Sequence, residues 1–416
     1  MNVLQITLSE YSQTGGTGIA MHRLHTSLKK SGYQSKIFCL IPELSDPEVI
    51  YFDRTPPVKA LEKMVLLLES ELGLYDTGRI ISTINITRRQ CYKEASIIHM
   101  HCLHGGFISY LGLPWLTSKP AVYTIHDMWA FSGHCHYSYD CDKWKTGCGK
   151  CPYLNLPTVV KRDNSHIEWK LKNWAYSNSN LHIVTPSKWM YNQAKESMLN
   201  RHQIHYIPHG IDLEVYRPLD KDYCRSMLGV KPGKKVLLFN AVKLGDFRKG
   251  GDLLLAALDK LSASLKNQIL LLVMGEDNLP RQLDIETINL GFVSSESKKA
   301  TIYAAADMFI FPTRTDNSPL VLYESLACGT PVVSFDVGGV SDLVRPGITG
   351  LLARSENIEQ LHNCIVELLE DEAKRSSMSL KCREVAQEYS MELYTERHRD
   401  LYQQVIKERA VQPIAN

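Results

Sequence analysis

Residues 308–335 read MFIFPTRTDNSPLVLYESLACGTPVVSF: a strand, a loop, a helix and a second strand in one short span. The runs MFIF and PVVSF are short, apolar and bounded by turn residues, as buried strands are. Between them Pro319 has no N–H to lose at a first helical position, Ser318 is a good N-cap, and Gly329 is a natural stop. The reading predicts a helix that starts at Ser318 and Pro319 and ends near Cys328, and so one βαβ unit of a parallel sheet. Asp316 then falls in the loop, while Glu324 falls in the second turn of an otherwise apolar helix. The N–H groups of Leu320 and Val321 have no earlier helical carbonyl to bond and suit an anion. A phosphate at those groups, with one carboxylate on each side to hold hydroxyls, implies a sugar and a ribose flanking a diphosphate.

The same alternation of short apolar runs with amphipathic segments extends over the whole chain. VLQITL, QSKIFCL, SIIHMH, AVYTIH and LHIVTP come first, then VLLFNAV, ILLLVMG and INLGFV. At 416 residues the chain suits two domains. The expectation is an α/β protein of two Rossmann-like, doubly wound domains facing a central cleft. The first spans 1–207, a hinge spans 208–218 (PHGIDLEVYRP), and the second domain spans 219–380. The helical stretch 381–416 is expected to return to the first domain.

Composition narrows the partners. Lys plus Arg number 47 against 45 acidic residues, a formal charge of +2, which gives no field for a nucleic acid. The N-terminus runs directly into an apolar alternation without a basic leader, and no apolar run approaches a membrane span, so a cytoplasmic location is expected. The insertion 57–93 predicts a helix with Val58, Leu61, Val65, Leu68 and Leu72 on one face, packed on its own domain. The other reading of that face is peripheral membrane contact or acceptor docking.

Three other places carry chemistry. Gly15 and Gly16 follow the first strand and open a helix, where backbone N–H groups can approach an anion; a plain turn explains them equally. A dinucleotide fingerprint is absent, since it needs a glycine at Met21 and an acid near Leu40. His126 ends the strand AVYTI, on the sheet edge where ligands bind in open parallel sheets, and His101 and His104 share that edge. Lys243, Arg248 and Lys249 lie between a strand and a helix starting near Gly251, placed to neutralise a leaving diphosphate.

Taken in order, these features resemble the retaining GT-B glycosyltransferases of family 4, of the bacterial polysaccharide-assembly type. The motifs that carry the resemblance are the Gly15–Gly16 loop, His126, PHGID at 208–212, RKG at 248–250 and YAAADMFIFPT at 303–313. They continue with the acid pair Asp316 and Glu324, ESLACGTPVVSFDVGG at 324–339 and PGITGLL at 346–352. The resemblance implies that Arg248 and Lys249 bind the diphosphate of a nucleotide-sugar donor and that Glu324 holds the ribose. Asp316 with Asn317 would meet the donor sugar, Ser318, Leu320 and Val321 the phosphates, Val293 the base, and His126 the sugar again. Gly15 and Gly16 would line the donor side of the first domain. UDP-sugar is favoured over GDP-sugar, the acceptor is a polysaccharide or lipid-linked oligosaccharide, and no metal cofactor is needed for catalysis. The chain departs from the family by having Asp where Glu is usual at 316, and Ser318 and Pro319 where the loop is normally glycine-rich. A sugar-nucleotide epimerase of the same fold is the alternative enzyme.

Cys135, Cys141, Cys148 and Cys151 lie together in the loop 134–152. Four thiolates ending in GCxxCP suit a structural zinc ion; free thiols or a disulfide are the other readings, and a zinc-stapled partner-binding module is the non-enzymatic one. The first spacing is not CxxC.

Overall fold

The structure, a computed structural model, describes residues 1–9, 15–42, 46–156 and 159–411. The chain divides into two compact units, residues 1–208 with those from Tyr394 on, and residues 209–393. The boundaries fall at Pro208, the first residue of the expected hinge, and at Leu393.

The N-terminal unit is built on seven parallel strands: β1 (Asn2–Ser9), β2 (Gln34–Ile41), β3 (Val49–Tyr51), β4 (Ile97–Met100), β5 (Ala121–Thr124), β6 (His182–Thr185) and β7 (Gln203–Tyr206). Their order is β3-β2-β1-β4-β5-β6-β7. The C-terminal unit has six: β8 (Lys235–Asn240), β9 (Ile269–Met274), β10 (Glu286–Asn289), β11 (Met308–Phe311), β12 (Val332–Phe335) and β13 (Gly350–Ala353), ordered β10-β9-β8-β11-β12-β13. In each sheet the order reverses once, between β1 and β4 and between β8 and β11. At such a switch the loops leave neighbouring strands in opposite directions and open a crevice at the carboxyl ends.

The burial patterns follow from this topology. Helices cover both faces of a parallel sheet, so central strands are apolar throughout. Every residue of β9 (ILLLVM) and β11 (MFIF) is buried. The edge strand β10 (ETIN) is polar and largely exposed, which discourages pairing with another sheet.

The helix after β11 spans Leu320–Ala327, with Pro319 and not Ser318 as its cap residue and no side-chain cap bond. The Ser318 hydroxyl instead bonds the Tyr323 hydroxyl at 2.8 Å. That side-chain partner one turn on competes successfully with the backbone, and the start moves by one residue. Gly329, at φ +76°, ends the helix as expected.

The terminal segment expected as one helix is the end of Glu372–Ala386, a short turn, and Met391–Val411. From the last helix Tyr402 Oη meets His99 Nδ1 at 2.6 Å and Thr395 Oγ1 meets Ser27 Oγ at 2.6 Å, both within the N-terminal unit.

The insertion helix, Pro56–Glu71, overturns its expected packing. Its buried residues are Glu62 and Glu69, whereas Leu61, Met64, Leu67, Leu68 and Leu72 are exposed. The two acids are held inward by backbone donors. Glu69 accepts from the N–H groups of Thr77 (2.9 Å) and Gly78 (3.1 Å), and Glu62 accepts from Ser82 N (3.2 Å) and Arg54 Nη1 (3.1 Å). Satisfying the loop 77–82 with carboxylates turns the leucine face outward.

Candidate functional site

In the C-terminal unit the switch point brings the loops after β8 and β11 together. Asp246 caps a 3-10 turn, Phe247–Lys249, by accepting from Arg248 N at 2.9 Å, and this turn presents Arg248 and Lys249. Both cations converge on one carboxylate oxygen: Arg248 Nη1 lies 2.9 Å and Lys249 Nζ 2.7 Å from Asp316 Oδ2. Asp316 Oδ1 accepts from Asn317 N at 3.0 Å. Burial pushes the Asp316 carboxyl up, but Lys249 and Arg248 outweigh it and hold it below the ordinary range. Burial lowers Lys249, and Asp316 opposes that fall. The two cations thus keep the buried Asp316 carboxylate ionised.

Two glycines set this geometry. Gly250 has φ +70°, and an added Cβ would lie 1.9 Å from the Pro312 carbonyl oxygen. Gly338 has φ +54°, and its Cβ would lie 2.0 Å from the Asp316 carbonyl oxygen, which also accepts from Gly339 N at 3.0 Å. Only glycine meets both demands, the left-handed backbone and the close approach. Arg314 braces the turn from behind: it donates to Asp252 (2.9 and 2.6 Å) and the Phe247 carbonyl (2.6 Å), and stacks on the Phe247 ring. Sequence reasoning missed Arg314 and Gly338 as positioning groups. The signal for Gly338 was present in the VGG of the long motif.

Glu324 is buried one turn into Leu320–Ala327. It hydrogen-bonds the Tyr303 hydroxyl, which also receives Asn240 Nδ2 at 3.0 Å at the end of β8. A carboxylate on an apolar helix is thereby joined to a polar pair. Leu320 and Val321 supply the first helical N–H groups beside Asn317 and Ser318. Val293 is buried behind Gly291, which has φ +66° and whose carbonyl accepts from Gly275 N at 3.1 Å. Lys243 is exposed, and none of the hydrogen bonds just given to Asp316 comes from it.

In the N-terminal unit, Gly15 has φ +63° at the head of Gly16–Lys30, and open space surrounds its Cβ position, so conformation and not crowding calls for glycine. The expected loop before it, residues 10–14, lies outside the described residues. His126 follows β5 and is joined to the neighbouring strand ends. His101 Nε2 faces Gln5 Oε1 at 2.8 Å, and His101 Nδ1 faces His126 Nε2 at 3.4 Å. His101 thus links Gln5 of β1 to His126 after β5. Burial drives His126 down to about 4, so it is neutral at neutral pH.

Next to it, Asp127 accepts from His104 Nε2 (3.0 Å) and His136 Nδ1 (2.7 Å) on one oxygen, and from Trp129 N (3.0 Å) on the other. Burial alone would raise this carboxyl, yet the two imidazoles hold it well below its usual range. His136, drawn in from the cysteine loop, was not singled out by the sequence, because its partner lies nine positions earlier and only folding brings them together.

The four cysteines of that loop line one cavity and are all free thiols. They do not form one tight set. The close group is His134, Cys135 and Cys151, whose ligand atoms all lie within 4.8 Å of one another. A hydrogen bond from Cys135 brings Cys151 down to about 4 and pushes Cys135 up.

Comparison with known proteins identifies the family and the fold. Residues 14–215 match the family Glycosyltransferase Family 4, and residues 225–385 match Glycosyl transferases group 1. The chain is 25% identical over 348 residues to a putative colanic acid biosynthesis glycosyl transferase, WcaC, of Escherichia coli, covering 80% of this chain and 83% of that one. It is 25% identical over 409 residues to a D-inositol 3-phosphate glycosyltransferase of Mycobacterium marinum, covering 92% and 79%. Among solved structures, sucrose-phosphate synthase from Thermosynechococcus elongatus superposes with a TM-score of 0.71 at 19% identity, over 98% of this chain and 100% of that one. Anabaena HepE, in complex with UDP and glucose, gives 0.66 at 16%, over 97% and 99%.

Proposed function

We propose, for a chain that belongs to the family 4 glycosyltransferases of GT-B fold, a retaining transfer of a sugar from a nucleoside diphosphate, UDP-sugar before GDP-sugar, to a polysaccharide or lipid-linked oligosaccharide. The observation that carries it is the convergence of Arg248 and Lys249 on Asp316 beside the head of Leu320–Ala327. A diphosphate entering there takes up the two cations and the N–H groups of Leu320 and Val321. Glu324 accepts from the ribose hydroxyls, Asp316 and Asn317 meet the sugar, Ser318 lies at the phosphates, and Val293 lies under the base. His126 hydrogen-bonds a sugar hydroxyl, and the Gly15–Gly16 backbone adds N–H groups.

Asp316 already accepts three hydrogen bonds and is a poor covalent nucleophile, which supports attack on the departing face. The bond from the anomeric carbon to the phosphate oxygen breaks, and the acceptor oxygen bonds that carbon on the same side. The acceptor proton passes to the leaving diphosphate. Arg248, Lys249 and the helix head neutralise the developing charge, the service a divalent ion performs elsewhere. Product NMR tests the stereochemistry, and an inverted anomeric configuration would overturn it. Added Mg2+ or Mn2+ is expected to change the rate by less than about twofold.

The Pro56–Glu71 helix supports a lipid-linked acceptor. Among the described residues no helix is long and apolar enough to cross a membrane. Yet Met64, Leu67 and Leu68 are 56, 64 and 58% exposed, with Lys59 and Lys63 on the same exposed helix. Exposed apolar side chains side by side on one helix suit a contact surface, and basic neighbours suit anionic headgroups. Sedimentation with phosphatidylglycerol vesicles is expected to carry the protein down, and Leu67→Asp with Leu68→Asp to release it; equal sedimentation of both would overturn the assignment.

A further inference from the structure

Between residues 132 and 164 the described chain contains no helix or strand beyond the 3-10 turn Lys143–Lys145. Three non-glycine residues within it, Tyr139, Cys148 and Lys150, hold left-handed backbone, at about 1–3 kcal/mol each. So long an irregular stretch in a compact unit needs a clamp. Trp169 Nε1 donates to the Trp144 carbonyl (2.8 Å) and Asp163 accepts from Cys151 N (2.7 Å), while Lys172 Nζ, fully buried, donates to the carbonyls of Trp129 (2.8 Å), Ser132 (3.1 Å) and Gly133 (3.3 Å). Lys172 holds only the start of the loop.

The other end closes on His134, Cys135 and Cys151. His134 Nε2 lies 3.1 Å from Cys151 Sγ and 3.9 Å from Cys135 Sγ. Zinc bonds of about 2.0 Å to nitrogen and 2.3 Å to sulfur, at tetrahedral angles, separate such ligands by about 3.5 Å. The two distances bracket that value. Cys141 and Cys148 both border the same cavity, and of the two it is Cys148 whose sulfur receives a backbone N–H beside His134, from Gly133. Backbone N–H groups point at two of the sulfurs, Gly133 N at Cys148 Sγ (3.2 Å) and Tyr153 N at Cys151 Sγ (3.4 Å), as suits thiolates.

From this cluster we infer a structural zinc site with one imidazole and three thiolates: His134 Nε2, Cys135, Cys148 and Cys151. Cys141 stays outside it, in place of the four-cysteine set that sequence alone suggests. Zinc with three thiolates and a neutral imidazole carries a net charge of −1, and the buried Lys172 ammonium against the same loop offsets it. Its position gives it a purpose. His136 directly follows two of the ligands and holds Asp127, so the metal fixes the histidine edge on which His126 stands. That last consequence rests on the transferase reading, whereas the metal site does not.

Elemental analysis of anaerobically purified full-length protein tests the site. Wild type and Cys141→Ser are expected to hold about one equivalent of zinc, while His134→Asn and Cys151→Ser lose at least fivefold. Cobalt substitution of the wild type is expected to give tetrahedral d–d bands and a sulfur-to-cobalt charge-transfer band, independently of whether the variants fold. UDP binding by Cys151→Ser should match wild type, which separates loss of metal from loss of the donor unit. Wild-type zinc below about a tenth of an equivalent, or no charge-transfer band, overturns the site. Full zinc in His134→Asn with none in Cys141→Ser overturns the ligand set in favour of four cysteines.

Discussion

The two units share one plan and furnish it differently. Both sheets reverse direction once, and both gather their polar residues at the strand ends beside or next to that reversal. In the C-terminal unit the crevice holds fixed charges, two cations on one buried carboxylate. In the N-terminal unit it holds imidazoles, with His101, His104 and His136 around His126 and Asp127. Fixed cations stabilise a diphosphate whose charge grows as it leaves, and the neutral imidazole of His126 suits hydroxyl groups whose charge does not change. On the proposed transfer, the same topology serves a charged leaving group in one unit and neutral hydroxyl groups in the other.

Substitutions can break this contrast. Lys249→Ala is expected to lower the transfer rate by on the order of 10²–10³, as loss of one preorganised donor does, and to weaken nucleotide binding as well. His126→Ala should lower the rate by about 10², measured with the same assay, while leaving nucleotide affinity within about twofold. If both variants lose nucleotide binding equally, the division of labour is wrong. Gly338→Ala is expected to destabilise by roughly 1–3 kcal/mol in urea unfolding, because its Cβ would meet the Asp316 carbonyl and its backbone is left-handed. It should also weaken nucleotide binding through Asp316.

The contrast extends to pH. His126 is lowered by burial to about 4, below an unfolded value of about 6.5. A depressed histidine contributes stability that is full above pH 6.5 and lost as pH falls toward 4, because the unfolded chain binds the proton first. Its imidazole resonances should show no titration near 6.5; a midpoint there would show that His126 is solvated. The smallest effect belongs to the exposed helix. Leu67→Asp should change unfolding stability by less than about 0.5 kcal/mol while reducing vesicle binding.

Much of the C-terminal unit was legible because its signals are local. Strand MFIF, the Pro319 step and Gly329 lie within one βαβ unit, and Arg248 and Lys249 are neighbours at a strand-to-helix loop, although their partner Asp316 lies 68 and 67 positions further on. Even there, Ser318 chose Tyr323 over the helix cap, a side-chain competition that spacing does not reveal. The N-terminal unit was harder for the same physical reason. Asp127 collects His104 and His136 from separate loops, and Glu62 and Glu69 turn the Pro56–Glu71 helix inside out to serve backbone N–H groups beyond the helix itself. Periodicity predicts that leucines go inward unless something polar is satisfied more strongly, and here buried loop amides take that place. His134 was passed over because counting cysteines ignores the imidazole beside them.

The most direct measurement is calorimetric titration of UDP and GDP into wild type, Lys249→Ala and His126→Ala. The account predicts binding of at least one nucleotide by wild type, a loss of at least about tenfold in Lys249→Ala, and near-wild-type affinity in His126→Ala. Unchanged affinity in Lys249→Ala would contradict the assignment of the diphosphate to the charged crevice of the C-terminal unit.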